Sequence, residues 1–435
     1  MKRVAFCTLG CKVNQYETQA MCELFLNKGY TEVDFDEIAD VYVINTCSVT
    51  SMSDRKSRQM IRRAKKLNKD AIVVVTGCYA QTASELLSKI DDVNLIIGTS
   101  GRSEIVALAE SVSSESKHIA VGDIMHTHEF ENLSVSSYSE RTRAYIKLQE
   151  GCSQFCSYCI IPYARGPIRS RSEEEVINEA KRLCKNGFRE LVLVGIHIAS
   201  YGKDLKTDTS LEKMICKIAE LEDVKRIRLS SIEPMTLDES FIKAVSSAGD
   251  KLCHHFHISL QSGCDETLER MNRKYKSDDF EKIVSGLRRA LPDCAITTDI
   301  MVGFAGETDE EFEKSIAFAD KIAFADMHVF SYSPRPGTPA AKMDNQVLPE
   351  MRHERSTRMI KIAEKNRDAF LDKFTGKTLE ILFERECENK KGYYEGKSQN
   401  YISVICKSDD DLSGQFLNVK LISHKDGIMS GKIVS

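Results

Sequence analysis

The sequence predicts a multidomain α/β protein: an N-terminal open parallel α/β domain, a central partial (β/α)6 barrel and a small C-terminal antiparallel β-barrel. Three observations predict it. From residue 1 to about 132, short apolar runs alternate with amphipathic helical stretches, the pattern of a parallel sheet with covering helices. From 142 to 370 the alternation resumes with longer units. From 371 to 435 short strand-like runs are separated by turn residues, as in a small barrel. At 435 residues the chain exceeds what one hydrophobic core usually serves, which also favours several domains.

In the first piece, strands are expected at Val4–Leu9, Val41–Asn45, Ala71–Thr76 and Asn94–Ile97. Helices are expected at Gln15–Lys28, Met52–Leu67, Ala83–Ile90 and Ser103–Glu110. The polar, serine-rich stretch Leu133–Arg141 reads as a linker. Barrel strands are expected at Tyr145–Gln149, Glu190–Val194, Arg226–Leu229, His255–Leu260, Ile296–Val302 and Met327–Tyr332, with helices such as Ser172–Lys185 and Glu310–Ile322 between them. In such barrels the chemistry lies at the C-terminal ends of the strands. A charged helix from about Glu350 to Phe370 closes this piece. The last piece shows runs at Thr378–Glu384, Tyr401–Cys406, Phe416–Ile422 and Gly427–Val434, with ten basic and ten acidic residues in balance.

Composition excludes several classes. Hydrophobic residues at 42% and charged residues at 29% describe a globular chain, neither disordered nor fibrous. The apolar run in MKRVAFCTLGCK is too short for a signal-peptide core and no run is long enough to span a bilayer, so the expected location is cytoplasmic, with no membrane partner. Fifteen cysteines in a reducing compartment point to metal binding or catalysis over a disulfide framework, although most are expected to be small core residues. The net charge of −4 argues against a surface coated with nonspecific nucleic-acid-binding charge. Locally, Arg55–Lys66 holds seven basic residues and no acidic one, which fits either a solvated helix face or an RNA-phosphate contact.

The sharpest signal is Cys152, Cys156 and Cys159, spaced C-x3-C-x2-C just after the first barrel strand. Three thiolates on one loop suit three irons of a cubane cluster, leaving the fourth iron open. The amino and carboxylate groups of S-adenosylmethionine (SAM) can chelate that iron, and an electron passed through the cluster then cleaves the sulfonium to a deoxyadenosyl radical. Zinc is the rival reading, but zinc sites show paired knuckles with a fourth ligand close in sequence, and neither is present. Tyr158 is placed to lie near the adenine. Strand ends supply further candidate SAM contacts: Gly195 after the second strand, Glu233 after the third, and Gln261, Ser262 and Gly263 after the fourth. Asp299–Thr308 carries the fifth strand into its loop, and His197 reads as an orienting or packing residue.

A second trio, Cys11, Cys47 and Cys78, lies just beyond three of the predicted parallel strands of the first domain. Singly, each reads as a small turn-filler. As a set at one sheet edge, where ligands of open α/β sheets bind, they favour a second cluster. Cys7 falls within a strand and Cys22 within a helix, so both read as core.

The motifs TLGCKVNQYE, VINTCSVT, TGCYAQ, EGCSQFCSYCIIPYARG, SLQSGCDETLERMNRKY, DIMVGFAGET and FSYSPRPGTPAA occur in the order seen in the radical SAM methylthiotransferase family, which the chain resembles over nearly its whole length. The resemblance implies an N-terminal cluster domain (1–132), a radical SAM core (142–370) and an RNA-binding TRAM domain (371–435). It also implies two [4Fe–4S] clusters and SAM as both methyl donor and radical source. GCKVNQYE and NTCSVT are most similar to the branch that converts N6-threonylcarbamoyladenosine, at position 37 of the tRNA anticodon stem-loop, to its 2-methylthio derivative. An isopentenyladenosine tRNA substrate is the nearest rival, and a non-catalytic iron–sulfur RNA-binding protein is the rival from another class. The implied partners are tRNA, an electron donor such as flavodoxin or ferredoxin, and a sulfur source. Arg165, Arg169 and Arg171 are expected to face the tRNA along with Arg55–Lys66. The chain departs from the family at Ala305, where proline is usual, and at Pro167, without losing a ligand.

Overall fold

The computed structural model describes residues 1–138 and 142–434. Its first sheet has six parallel strands: β1 (Arg3–Thr8), β2 (Thr31–Val33), β3 (Val41–Thr46), β4 (Ile72–Gly77), β5 (Leu95–Ile97) and β6 (His118–Ala120). Their order is β2-β1-β3-β4-β5-β6. β3 is buried at every position, as a parallel strand covered by helices on both faces must be. Its two faces feed separate cores, one holding Tyr42, Ile44, Val73 and Val75 and the other Val41, Val43, Val74 and Leu95. The edge strands β2 and β6 were not legible in the sequence. Each is three residues long and largely exposed, so neither carries a hydrophobic pattern.

The second unit is the expected open barrel. Its strands are β7 (Arg143–Glu150), β8 (Arg169–Ser170), β9 (Glu190–Gly195), β10 (Arg226–Leu229), β11 (His255–His257), β12 (Ala295–Val302) and β13 (Asp326–Ser331). β10, β9 and β7 form one parallel sheet, with the two-residue β8 added antiparallel on the far edge of β7; β11, β12 and β13 form another. Bridges at Ile227↔Leu252 and Ile232↔Ile258 join the two, so six parallel strands curve around one interior. β11 is shorter than predicted because the chain after His257 turns, and Gln261 takes a left-handed φ of 69°.

Helix Pro349–Asp372 leads to a closed five-stranded barrel of β14 (Thr378–Glu386), β15 (Tyr393–Ser398), β16 (Ser403–Lys407), β17 (Phe416–Lys425) and β18 (Ile428–Ile433). Their order is β14-β15-β16-β18-β17, every pair antiparallel except β16–β18. This small barrel docks on the N-terminal ends of the central strands. Arg226 donates to the Glu380 carbonyl at 2.7 Å and Arg228 to the Ser398 and Gln399 carbonyls at 3.1 Å.

The first domain closes the open side of the central barrel. Val13, Tyr16 and Ala20, on one face of helix Lys12–Asn27, pack into the core of the central unit. The Tyr16 hydroxyl donates to the Leu133 carbonyl at 2.6 Å and meets Glu179 at 3.0 Å. The described part of the expected linker is therefore packed, not free: Leu133, Val135 and Tyr138 are buried, while residues 139–141 lie outside the described residues. Its serines made it look like a spacer, but Ser136 uses its backbone and hydroxyl to bind Glu23.

Candidate functional site: two cysteine trios joined by a buried arginine

Strand order places the first trio. β1 is followed spatially by β2 on one side and β3 on the other, so the order reverses between β1 and β3, and open α/β sheets bind ligands at such a switch point. Cys11 follows β1, Cys47 follows β3 and Cys78 follows β4, the next strand along. Their loops are tied by two asparagines. The Asn14 amide donates to the Leu9 and Thr46 carbonyls at 2.7 and 3.0 Å, and Asn45 donates to the Asn14 carbonyl at 3.0 Å. Gly10 has a φ of 104°, and a Cβ there would lie 2.9 Å from the Cys47 Cβ, so only glycine lets the two loops meet. The three sulfurs are near enough to interact as charges, Cys11 with Cys47, Cys47 with Cys78 and Cys78 with Cys11. Burial pushes the Cys47 and Cys78 thiols up, and bound iron is what would draw such groups to thiolates.

The second trio occupies the loop after β7. Cys152 donates its N–H to the Gly166 carbonyl at 3.0 Å, Ser157 binds the Met271 and Arg270 carbonyls at 3.0 and 2.7 Å, and Asn272 holds the Phe155 carbonyl at 2.9 Å. Burial raises Cys152 to about 11 and Cys159 to about 12, with Cys156 adding to both. Arg273 donates to the Cys156 sulfur at 3.3 Å, to the Tyr275 hydroxyl at 2.9 Å and to the Ser259 carbonyl at 3.0 Å. The sequence reading did not single out Arg273. It lies inside a quoted motif, but nothing local shows that the motif folds back over the cysteine loop.

Among the described residues no three histidine, cysteine or acidic side chains are arranged to hold a single metal ion. A cubane sets its thiolates wider apart, because each binds a different iron. The donor chemistry, three cysteines per site each with an arginine N–H on one sulfur, suits such a cluster.

Around the central loop, the strand ends carry polar atoms that lack a partner within the described chain. They are His197 Nε2 after β9, Ser230 Oγ after β10, Gln261 Oε1 after β11 and the Tyr332 hydroxyl after β13. Buried polar groups are rarely left so, and four at one end of a barrel fit a small polar ligand such as SAM. Tyr158 packs edge-on against Phe304 at 6.3 Å, and burial holds its hydroxyl well above the phenol range despite Arg273. Burial likewise raises the Glu233 carboxyl, opposed by Arg273 and Lys203. Gly195 lines the central cavity, where a Cβ would meet Ile198 at 2.8 Å and Gln149 at 3.1 Å. Ser262 and Gly263 are turned into packing instead. The Ser262 hydroxyl accepts from the Cys264 N–H at 3.2 Å, and a Cβ at Gly263 would strike Phe318 at 2.7 Å. Burial drives His197 down to about 4; its Nδ1 is bound to Ser200, which fits an orienting role. Ala305 is buried in the small apolar cluster of Met301, Phe304 and Tyr332 beside this loop.

Arg165, Arg169 and Arg171 correct the sequence expectation, for none faces solvent. Arg165 is fully buried and links the two trios. Its Nε donates to the Cys78 sulfur at 3.2 Å, while its other nitrogens reach Glu17 at 2.6 Å, Asn14 at 2.6 Å and Glu150 at 2.9 Å. Glu150 is the last residue of β7, two positions before Cys152. Lys147 binds Glu17 at 3.0 Å and Glu150 at 2.7 Å, and Arg102 binds Glu17 at 2.5 Å and Glu131 at 2.8 Å. Arg169 donates to the Thr127 and Pro167 carbonyls, and Arg171 pairs with Glu179. The sequence shows the arginines but not that folding buries Arg165 and Arg171 against glutamates and Arg169 against backbone carbonyls. The helix Ser51–Leu67 keeps its expected character: Arg55, Lys56, Arg62 and Lys66 are exposed and make no ion pair among the described residues.

Between the domains lies a cavity of about 1010 Å³. Cys11, Cys47 and Cys78 form one wall, Gly195, Ser230 and Thr297 belong to the central barrel, and Lys397 and Tyr401 reach in from the small barrel.

A family described as "Uncharacterized protein family UPF0004" matches residues 3–98, and the Radical SAM superfamily matches residues 146–319. The threonylcarbamoyladenosine tRNA methylthiotransferase MtaB of Bacillus subtilis is 42% identical over 97% of this chain and 94% of its own length. That of Aquifex aeolicus is 38% identical over 92% and 98%. The tRNA-2-methylthio-N(6)-dimethylallyladenosine synthase of Clostridium novyi is 32% identical over 100% and 97%. Among solved structures, the radical SAM methyltransferase TsrM of Kitasatospora setae shares the fold, with a TM-score of 0.57 at 15% identity over 78% of this chain and 75% of that one. Two cysteine trios on a switch-point sheet and a partial barrel, with full-length relatives above 30% identity, lead to one assignment: the chain belongs to the radical SAM methylthiotransferase family.

Proposed function

We propose that this chain is a tRNA methylthiotransferase that converts N6-threonylcarbamoyladenosine beside the anticodon to its 2-methylthio derivative. The observation that carries the reading is the pair of cysteine trios joined through buried Arg165, which bonds the Cys78 sulfur and Glu150 at the foot of the central loop, in a chain 42% identical over nearly its full length to a relative of that name. Cys152, Cys156 and Cys159 would hold one [4Fe–4S] cluster, and Cys11, Cys47 and Cys78 the other. Tyr158, Gly195, Glu233 and Gln261 would surround SAM, with Ser262 and Gly263 shaping the loop that presents Gln261. When bound, these groups supply the radical that activates the target carbon and the sulfur and methyl that replace its hydrogen.

The chain's own residues set the surroundings for that chemistry. Arg165 and Arg273 each place an N–H on a ligand sulfur, which disperses thiolate charge and so favours the reduced cluster. The buried ion network around Glu17 holds the N-terminal domain against the β7 loop, keeping the two trios at a fixed separation. The C-terminal barrel, read as a TRAM domain, and the exposed cations of helix Ser51–Leu67 would bind the tRNA backbone. An electron donor such as flavodoxin or ferredoxin, a sulfur source and a cytoplasmic location complete the reading. No helix among the described residues is long and apolar enough to cross a membrane.

Nucleoside mass spectrometry on a strain lacking the gene tests it. Loss of 2-methylthio-threonylcarbamoyladenosine, restored by the wild-type gene and not by one encoding Cys11→Ala, is the expected result. Loss of the isopentenyl derivative instead would move the substrate to the rival branch. Failure of the reconstituted protein to form deoxyadenosine from SAM and a reductant would end the enzyme reading.

A further inference from the structure

The lining of the interdomain cavity carries more cationic side chains than paired carboxylates. Its lining includes three cations, Lys12, Arg367 and Lys397, and two carboxylates, Asp299 and Asp326. Asp299 is committed to His257, whose Nε2 lies 3.1 Å away, and Asp326 accepts from the Met327 N–H at 3.0 Å. Arg367 is 4.0 Å from Asp368. Lys12 and Lys397 have no carboxylate partner among the described residues. Among the described residues the Lys397 ammonium bonds only the Ser403 hydroxyl and stands 4.7 Å over the Tyr401 ring, and the Lys12 ammonium makes no hydrogen bond.

Tyr401 lines the same cavity from the short connection between β15 and β16, with a left-handed φ of 68° that a tyrosine rarely adopts. Its ring is stacked on His255 at 4.5 Å and flanked by Arg228 at 4.8 Å and Arg143 at 5.7 Å. Two neighbours register the field. Burial holds His255 neutral, well below the ordinary imidazole value, and Arg228, His257, Lys12 and Lys397 add to the effect. Burial would raise Tyr401, yet Arg143, Lys12 and Lys397 bring it below the ordinary phenol value. Half-buried ammonium groups from two different domains, facing one space without a paired carboxylate, are costly unless an anion joins them.

We infer that Lys12 and Lys397, with Tyr401 and His255 as the floor, form a carboxylate-binding subsite that takes the free carboxylate of the threonylcarbamoyl group on the target adenosine. The inference rests on the substrate proposed above. It assigns the choice of substrate branch to residues outside both cysteine trios: an isopentenyl group has nothing to offer two ammonium groups, whereas a carboxylate satisfies both. Lys12 adjoins Cys11, so the group that reads the substituent and the proposed sulfur-bearing wall belong to one loop.

The test uses the reconstituted holoenzyme and three anticodon stem-loop RNAs that differ only at the target adenosine: the N6-threonylcarbamoyl acid, its carboxamide, and unmodified adenosine. Fluorescence anisotropy is measured for the wild type, Lys12→Met and Lys397→Met. The wild type is expected to bind the acid RNA at least tenfold more tightly than the amide. Each variant is expected to lose that preference while holding the amide and unmodified RNAs as the wild type does. Because Lys397 lies in the small barrel, its variant leaves the cysteine loops intact even if Lys12→Met perturbs Cys11. Undiminished preference for the acid in both variants overturns the subsite. So does an equal loss for all three RNAs, which would make the lysines phosphate contacts, or weakened SAM binding with the RNA preference unchanged, which would make SAM the source of the carboxylate. If the wild type does not methylthiolate the acid RNA at all, the substrate reading falls and the subsite falls with it; a failure of the subsite alone leaves wild-type turnover of that RNA in place.

Discussion

Replacing Glu17 by Gln should cost about 4 kcal/mol of stability, because it leaves a buried cation without its counter-charge. The Glu17 carboxylate is fully buried and serves three cations, Arg102 at 2.5 Å, Arg165 at 2.6 Å and Lys147 at 3.0 Å, all with fully buried side chains. Glu150 and the partly buried Glu131 complete a balanced set of three cations and three carboxylates. Glutamine keeps the shape and one acceptor but removes the charge. Urea unfolding followed by far-UV circular dichroism measures the loss, as the chain has no tryptophan. Hydrogen exchange along helix Lys12–Asn27 reports it locally. Adding Lys147→Met to Glu17→Gln removes the surplus cation and should return about 2 kcal/mol. Burial alone would raise the Glu17 carboxyl, but Arg102, Arg165 and Lys147 hold it well below the ordinary 4.5. Its stabilisation is therefore present above about pH 4.5 and is lost as the pH falls further, so the gap between wild type and variant should close in acid. A cost under about 1 kcal/mol, or a double variant whose losses simply add, would refute the reasoning.

Three further outcomes follow from the site. Gly151→Ala should prevent assembly of the central cluster and remove roughly half the iron, since Gly151 has a φ of 75° and a Cβ there would lie 1.8 Å from the Pro167 carbonyl oxygen. Gly187→Ala, where φ is 97° but nothing lies within 4 Å, is the control and should cost only about 1 kcal/mol with full iron content. Arg273→Met removes an N–H from the Cys156 sulfur and should lower the midpoint potential of the central cluster in a redox titration, with Arg273→Lys intermediate and Arg165→Met leaving that cluster unchanged. Lys56→Glu with Arg62→Glu, on the exposed face of helix Ser51–Leu67, should reduce the slope of log affinity for tRNA against log salt by about 2; an unchanged slope would return that helix to the role of a solvated face.

The cysteine spacing C-x3-C-x2-C was legible because all three ligands share one loop, so their separation along the chain already constrains their separation in space. The N-terminal trio was legible by a different route. Each cysteine follows a short, largely apolar strand run, and parallel topology alone carries the ends of such runs to one edge. The longer barrel strands β7, β9 and β12 could be read from their apolar runs; β2, β6 and β15 could not, being short, exposed or broken by Lys, Glu and Gly.

Charge was where local reading failed. Arg165, Arg169 and Arg171 looked like an RNA-facing patch, yet all three are buried. Arg165 and Arg171 are neutralised by Glu17, Glu150 and Glu179, and Arg169 is held by the Thr127 and Pro167 carbonyls, contacts that the spacing of charges along the chain does not reveal. The same holds for Lys12 and Tyr401, which lie at opposite ends of the chain and share one positive pocket. The sequence by itself determined the fold class, through strand and helix periodicity, and the family, through the order of its motifs, and it singled out the two cysteine trios as candidate cluster ligands. Only the tertiary structure decided which cations are internal struts and which line the interdomain cavity, because that depends on where other segments of the chain come to rest.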